Sequence, residues 1–209
     1  APLGSRTKLT LPDGTLVWLN AVSRITYSQG FGVGNRKIEL IGEGYFEVKR
    51  NEEVPFLVKT NSLLVKVLGT KFNFRDYPDD AEAIVSLSEG KVALNNLLKK
   101  EKEAFLLPNE RVVLNKKNGR MHVEYSTVSN ALQWTNGYLF FDEELLPDVV
   151  KELERSYNVK IQIASDTLNT FRFYGNFVHR EQNIQEVLEA LSATRKIHYI
   201  IEGHNITLY

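Results

Sequence analysis

Short segments of alternating apolar and polar residues, separated by turn residues, fill the chain from about residue 6 to residue 125. A period of two is typical of half-buried β-strands. At one turn, Pro12-Asp13-Gly14, Pro presets φ and Gly accepts a positive φ. Only Leu97–Lys102 is weakly helical in pattern. The pattern predicts strands at Thr7–Leu11, Leu16–Leu19, Lys37–Ile41, Gly44–Lys49, Phe56–Thr60, Leu63–Leu68, Lys71–Tyr77, Ala83–Leu87, Lys91–Leu94, Arg111–Asn115 and Arg120–Tyr125.

About ten or more short strands in one stretch indicate a sandwich, a barrel or a short solenoid. We therefore predict a β-rich domain over residues 6–125. Residues 126–136 are polar around a single apolar anchor, Trp134, and are predicted to form a linker. The aromatic residues Trp18, Phe46, Phe56 and Phe72 each fall within a strand pattern, so buried core is the expected place for them.

Residues 137–209 contain both the period of two that is typical of strands and the spacing of three to four residues that is typical of helices. Apolar residues three and four positions apart predict one helix through Leu146, Val149, Val150, Leu153 and Tyr157, and a second through Ile184, Val187, Leu188 and Leu191, with Asn183 as its N-cap. Strands are predicted at Gly137–Phe141, Val159–Ile163, Phe171–Val178, Ile197–Ile201 and Asn205–Tyr209. The order β-α-β-β-α-β-β predicts an α+β domain with two helices on one face of a small sheet.

Composition excludes several classes of protein. Basic and acidic residues number 26 each, so the excess of positive charge that nucleic acid binding usually needs is absent, and no nucleic acid partner is expected. No apolar run approaches the roughly 20 residues that span a bilayer. The chain has no cysteine, which rules out thiolate catalysis and disulfides. Residues 1–5 look like a cloning scar, so any anchor is expected to have been removed.

The sequence contains few candidate sites for chemistry. The glycine-rich stretch Gly30–Gly34 precedes a strand rather than a helix, which favours a β-loop over a phosphate cradle. Asp79-Asp80 and Asp142–Glu144 are placed to serve a turn and a helix dipole. The four histidines, His122, His179, His198 and His204, lack the spacing of metal ligands. We expect no metal, no cofactor and no enzyme activity on an external substrate.

One pair of residues could react with each other. Gly69 and Thr70 join two predicted strands at a tight connection. A threonine hydroxyl can attack the carbonyl of the glycine before it, and hydrolysis of the resulting ester would break the chain between the two residues. The competing interpretation is a glycine that the backbone geometry requires.

Several phrases together resemble the periplasmic part of FecR-type anti-sigma factors. They are Leu11-Pro12-Asp13-Gly14-Thr15-x-Val17-Trp18-Leu19-Asn20-Ala21, Leu40-x-Gly42-Glu43-Gly44-Tyr45-Phe46-Glu47-Val48, Pro55-Phe56-x-Val58, Val67–Phe74 and Glu89-Gly90-Lys91-Val92. The C-terminal phrases Leu139-x-Phe141 and Phe173-x-Gly175 resemble the domain that ends such regulators, which is similar to the secretin and TonB short N-terminal (STN) fold. The resemblance covers nearly the whole chain.

The resemblance implies the periplasmic domain of a single-pass inner-membrane protein of a Gram-negative bacterium. The transmembrane helix and a cytoplasmic segment that binds an extracytoplasmic-function sigma factor would precede this chain. The periplasmic partner would be the signalling domain of a TonB-dependent outer-membrane transporter. Some members of the family cut themselves at the Gly-Thr pair that Gly69 and Thr70 match.

Addition of a partner strand at an exposed sheet edge is the simplest way to receive such a signal. Alternation places Phe171, Phe173, Gly175 and Phe177 on one face of a C-terminal strand, which we predict to be core. The opposite face and the terminal hairpin give the predicted contact residues Arg172, Tyr174, Asn176, Thr207 and Tyr209. Two alternatives remain open from the residues: a β-rich carbohydrate- or ligand-binding module of a surface protein, and a hydrolase with unrecognised residues.

Overall fold

The computed structural model describes all 209 residues, except for the side chain of Val128. The chain divides into two compact units: residues 6–132 with Ala1, and residues 133–209 with residues 2–5. Residues 126–136, predicted as a linker, contain a short helix α1 (Val128–Leu132) and a 3₁₀ turn (Gln133–Asn136), and the division between the units falls inside them. Among the described residues, no helix is long and apolar enough to cross a membrane.

The first unit is built almost entirely of strands, as the alternating pattern predicts. Two short strands, Arg24–Tyr27 and Ala104–Leu106, are not among the predicted ones, and the weakly helical stretch Leu97–Lys102 lies in the tip of the hairpin that the second of them closes. The strands are β1 (Thr7–Thr10), β2 (Leu16–Leu19), β3 (Arg24–Tyr27), β4 (Arg36–Glu47), β5 (Phe56–Lys59), β6 (Leu63–Val67), β7 (Lys71–Asp76), β8 (Glu82–Glu89), β9 (Val92–Asn96), β10 (Ala104–Leu106), β11 (Glu110–Asn115) and β12 (Met121–Tyr125).

These strands form two layers that share one long strand. The first layer has the order β1-β2-β4-β7-β8-β11-β12, and the second has the order β3-β4-β5-β6-β9-β10. Residues 36–41 of β4 pair with β3 and β5 in the second layer, and residues 42–47 pair with β2 and β7 in the first. The sequence predicts two strands here, Lys37–Ile41 and Gly44–Lys49, because the glycines in between look like a break.

Gly42 is the residue at which β4 passes from one layer to the other. Its φ of 96° lies in the region that favours glycine. A Cβ atom at this position would lie 2.9 Å from the Cα of Ser23, so the close approach of the two strands also requires glycine. The Ser23 hydroxyl accepts a hydrogen bond from the Glu43 amide, 2.8 Å away. The glycine at position 42 of this sequence phrase is therefore required by the path of β4 and by its close packing on Ser23.

The core of the first unit contains side chains of both layers. Phe46, Phe56 and Phe72 are fully buried, as predicted, and the Phe46 ring stacks on Phe72 with 5.1 Å between centroids. Trp18 was predicted to be core, and this prediction is wrong. It alternates with the buried Val17 and Leu19, so it points to the outer face, where it packs 5.3 Å from Tyr45. Burial raises the pKa of the Tyr45 phenol well above its ordinary value.

The phrase that begins at Leu11 forms a turn held by a buried ion pair. The Asp13 carboxylate accepts hydrogen bonds from the amide and the hydroxyl of Thr15. The same carboxylate lies 2.8 Å from Nε of Arg36, whose side chain is 3% exposed. The Arg36 guanidinium also donates to the carbonyls of Lys49 and Val54. A buried charge in this position is tolerated because all of these partners surround it.

The second unit has the element order β-α-β-β-α-β-β that its sequence patterns predict. Its elements are β13 (Tyr138–Leu145), α2 (Leu146–Tyr157), β14 (Lys160–Ile163), a 3₁₀ turn (Asp166–Thr170), β15 (Arg172–Val178), α3 (Ile184–Ser192), β16 (Tyr199–Glu202) and β17 (Asn205–Leu208). Asn183 caps α3, and its side chain and that of Glu186 form a capping box. Asp142–Glu144 precede a helix, as predicted: they lie near the end of β13, and α2 begins two positions after Glu144.

The strands of the second unit form two small sheets, where the sequence predicted one. β13 pairs with β15, and β17 lies between β14 and β16. The pairing of β14 with β17 is parallel and joins residues more than forty positions apart, as in Ile161 with Ile206. The two predicted helices contribute Val149, Leu153, Val187 and Leu188 to one core with both sheets.

Candidate partner-binding surface

Strand β15 divides into a buried and an exposed face, as predicted. Phe173 and Phe177 are each 5% exposed and belong to the core, whereas Tyr174 is 58% exposed. The two phenylalanine rings lie parallel, 6.1 Å apart, over Gly175. A Cβ atom at Gly175 would lie 2.6 Å from the Phe173 ring and 2.9 Å from the Phe177 ring. The glycine of this phrase thus makes room for two core aromatic side chains.

One edge of β15 is open. Among the described residues, β15 pairs with β13 and with no other strand. The amide of His179 donates to the carbonyl of Gly137, so these two residues form a hydrogen-bonded pair of the antiparallel ladder. Because such pairs alternate along an antiparallel ladder, the backbone groups of Asn176 and Tyr174 point away from β13. At Val178 the edge is not available to a partner strand, since the Val178 amide donates to the side chain of Gln182.

A β-bulge in β13 holds two of the predicted contact residues. The register shifts between Phe141 and Glu144, and Glu143 has a φ of 58°. The Arg172 guanidinium donates to the backbone carbonyl of Glu143 at 2.5 Å. A hydrogen bond with the Glu143 carboxylate raises the pKa of the Tyr174 phenol. Arg172 and Tyr174 are therefore exposed side chains with defined positions, which is typical of recognition surfaces.

Thr207 and Tyr209 lie on a different sheet from the other predicted contact residues. Thr207 is in the central strand β17, opposite Ile200 of β16. Tyr209 is 48% exposed, and its ring lies 5.8 Å from that of His198. The five predicted residues therefore form two separate surfaces, one at the edge of β15 and one on the outer face of β14-β17-β16.

Ile200 is a further candidate contact residue, which the sequence patterns do not indicate. It is 50% exposed in an edge strand, although the apolar run around it looks like core. The signal that could have found it is its position opposite Thr207, since paired residues share a face of the sheet. Large apolar side chains exposed on edge strands are typical of surfaces that other proteins cover.

The Gly69–Thr70 peptide lies between β6 and β7. Thr70 is 3% exposed, and its hydroxyl donates a hydrogen bond to the carbonyl of Lys91 at 3.1 Å. A Cβ atom at Gly90 would lie 3.1 Å from the Gly69 carbonyl oxygen, so this glycine allows the two connections to pack closely. Gly69 itself approaches Arg50, where a Cβ atom would lie 2.7 Å from the Arg50 Cβ. Self-cleavage of this bond stays a prediction.

The other residues considered as candidate sites make contacts within the fold. The glycine-rich stretch is a β-loop that leads into β4, and its Phe31 is buried in the core. His179 lies 2.7 Å from the carbonyl of Ser156, and His122 lies 3.5 Å from the carboxylate of Glu124. Asp80 pairs with Arg75 at 2.9 Å. Among the side chains that the structure describes, no three potential ligands are grouped as a metal site.

Comparisons with known proteins agree with the sequence motifs. Residues 2–93 match the family model of the FecR protein, and residues 138–208 match that of the FecR C-terminal domain. A comparison with curated proteins gives no match. Two crystal structures of a "putative anti-sigma factor" from Parabacteroides distasonis ATCC 8503 are similar to this chain, with TM-scores of 0.92 and 0.91 and 33% identity in both. Each alignment covers 100% of this chain and 96% of the other. The chain belongs to the FecR family of anti-sigma regulators.

Proposed function

We propose that this chain is the signal-receiving, periplasmic part of a FecR-type anti-sigma regulator. Its partner is the periplasmic signalling domain of a TonB-dependent outer-membrane transporter. The signal passes through a single transmembrane helix to a cytoplasmic segment that holds an extracytoplasmic-function sigma factor. The protein is anchored in the inner membrane of a Gram-negative cell, and its second unit has an STN-like fold.

The open edge of β15 is the observation that supports this proposal most directly. A partner strand laid along it would exchange hydrogen bonds with the outward-pointing backbone groups of Tyr174 and Asn176. Backbone pairing supplies affinity without much selectivity. The side chains of Arg172 and Tyr174, held by the Glu143 bulge, are placed to select among strands. Thr207, Tyr209 and Ile200 form the second candidate contact surface of the same unit.

Calorimetric titration of the chain with the transporter's signalling domain tests the proposal. Asn176→Pro removes the one amide that an incoming strand needs at this position, and a proline ring is tolerated on the outward side of an edge strand. Because the Asn176 amide points away from β13, the β13-β15 ladder should keep its hydrogen bonds. Asn176→Ala is the matched control, since it changes the same side chain but keeps the amide.

We expect saturable binding by the unaltered chain and by Asn176→Ala. Asn176→Pro should weaken binding at least tenfold, with an unchanged unfolding midpoint in denaturant. Equal affinity of the proline and alanine variants would exclude the β15 edge and leave the surface of Ile200, Thr207 and Tyr209. Absence of binding by the unaltered chain would contradict the receiving role.

A further inference from the structure

Strand β12 is an uncovered edge of the first layer. Among the described residues it pairs with β11 and with no other strand. Edge strands are usually protected by lysine, by proline, by a bulge or by very short length. The edge strand β1 contains Lys8, and the edge strand β10 has only three residues. Strand β12, Met121–Tyr125, contains neither lysine nor proline, and its five pairs with β11 show no register shift.

The side of β12 that faces the core is only partly covered. Val123 lies opposite Val112, and paired residues share a face of the sheet. Val112 is fully buried, whereas Val123 is 45% exposed, and Tyr125 on the same face is 86% exposed. Met121, the third residue of this face, packs against the core. An apolar stripe left uncovered at a sheet edge is typical of a surface that another chain covers.

The backbone groups at the open edge belong to the same three apolar residues. Asn109 and Ser126 form a hydrogen-bonded pair, since the Ser126 amide donates to the Asn109 carbonyl. Such pairs occur at every second position of an antiparallel ladder, so Glu124 exchanges hydrogen bonds with β11, whereas Val123 and Tyr125 do not. The N–H and C=O groups of the apolar residues therefore point away from β11, where an incoming strand would meet them.

The opposite face of β12 carries a basic and an acidic residue in symmetric positions. His122 and Glu124 lie on either side of Val123 in the sequence. The Glu124 carboxylate pairs with Arg111 of β11 at 2.6 Å and lies 3.5 Å from the His122 ring. The strand thus has the order apolar, basic, apolar, acidic, apolar. This order is complementary to itself when one copy is reversed.

We propose that β12 pairs with β12 of a second copy of this chain, antiparallel and centred on Val123. The first layers of the two copies then form one continuous sheet. The two Val123 residues exchange backbone hydrogen bonds, which the outward direction of their N–H and C=O groups permits. Each Met121 lies opposite Tyr125 of the second copy, and each Glu124 lies opposite His122 of the second copy. The dimer covers the apolar stripe and forms two opposite-charge pairs.

The length and the charges of β12 select this register. Because the bonding groups recur at every second residue, the nearest alternative registers are centred on His122 or on Glu124. Either alternative pairs three residues of β12 instead of all five. The first places His122 opposite His122, and the second places Glu124 opposite Glu124, which is destabilising because like charges then lie side by side. The register centred on Val123 keeps the most pairs and matches the charges.

Sedimentation velocity of the full chain over a range of concentrations tests the proposal. We expect the mass to rise from 23.9 kDa toward twice that value as the concentration approaches about 1 mM, since a single short strand pairing supports a weak dimer. Val123→Pro removes the amide at the centre of the pairing and should weaken dimerisation at least tenfold, while the β11-β12 ladder keeps its hydrogen bonds. Val123→Thr keeps the amide and the side-chain shape, so this matched control should still dimerise.

Two charge variants test the register and keep every backbone amide. His122→Glu places a second carboxylate opposite Glu124 of the other copy, and Glu124→Lys removes the acidic partner of His122. Each variant alone should dimerise at least threefold more weakly than the unaltered chain, because it loses both opposite-charge pairs. An equimolar mixture of the two variants places the introduced carboxylate opposite the introduced ammonium and should restore dimerisation.

Four results would overturn the proposal. The first is a mass of 23.9 kDa at every concentration up to about 1 mM. The second is equal dimerisation of the proline and threonine variants, which would place the contact on another surface. The third is a mixture of charge variants that dimerises no better than either alone. The fourth is a chain that stays monomeric while the transporter's signalling domain slows amide exchange in β12, which would assign this edge to that domain. The first three leave strand addition at β15 untouched, so the two proposals fail independently.

Discussion

Gly175 shows how a single position constrains the surface that we assign to partner binding. The rings of Phe173 and Phe177 occupy the space in which a side chain at position 175 would lie. Substitution Gly175→Ala should therefore lower the free energy of unfolding by about 1–3 kcal/mol, the usual cost of overpacking a core. Asn176→Ala, one residue further on the exposed face, should change it by less than about 0.5 kcal/mol.

Denaturant unfolding of both variants, followed by circular dichroism, measures these differences. Equal stability of Gly175→Ala and the unaltered chain would mean that the rings move aside at little cost. Packing of the two aromatic rings over the glycine would then not be what requires glycine at position 175.

Thr70 carries the prediction of self-cleavage. Attack on the Gly69 carbonyl needs the Thr70 hydroxyl, which donates a hydrogen bond to the Lys91 carbonyl in the structure. We expect the unaltered chain to break slowly between residues 69 and 70 during long incubation, and Thr70→Ser to do the same, since it keeps the hydroxyl. Thr70→Val should stay whole. Intact-mass spectrometry over time distinguishes the chains, and a single unbroken mass for all three would refute self-cleavage.

At the scale of elements, the helices were the most predictable parts of the fold. Helices α2 and α3 begin and end close to the predicted positions because their apolar residues repeat every three to four positions. The strands β3 and β10 were not predictable in this way. β3 is only four residues long, and although its residues alternate between polar and apolar, only Ile25 is half-buried, so the segment is too short and too exposed for its pattern to indicate a strand.

The pairing of the strands cannot be predicted from the sequence patterns either. Nothing in the segments 160–163 and 205–208 alone indicates that they pair in parallel, and without this pairing the division into two sheets cannot be predicted. For the same reason the sequence does not show that Thr207 and Tyr209 lie on a different sheet from Arg172, Tyr174 and Asn176. Alternation assigned each residue to a face of its own strand, but the placement of strands in sheets depends on tertiary contacts.

The cap of α3 provides a test at this scale. The Asn183 side chain accepts a hydrogen bond from the Glu186 amide, and the Glu186 carboxylate accepts one from the Asn183 amide. Asn183→Ala should lower the free energy of unfolding by about 1 kcal/mol, because an amide at the helix start loses its partner. Asn183→Asp keeps an acceptor and should retain most of the stability. Urea denaturation measures both, and equal stability of the Ala and Asp variants would contradict the role of the cap.

At the scale of the whole molecule, two units with different construction share one chain. The first is a strand-rich body whose characteristic phrases form buried turns and polar contacts, such as Asp13 with Arg36. The second is a small α+β unit with an open strand edge. In the function that we propose, the second unit offers the surface for a partner strand.

Hydrogen exchange of the backbone amides, with and without the transporter's signalling domain, tests strand addition most directly. In the free chain, Phe173, Gly175 and Phe177 have amides that point toward β13, whereas those of Tyr174 and Asn176 point outward. We predict that a saturating amount of the signalling domain slows exchange at Tyr174 and Asn176, and changes exchange at Gly175 much less. Unchanged exchange at Tyr174 and Asn176 in the saturated complex would contradict strand addition at β15.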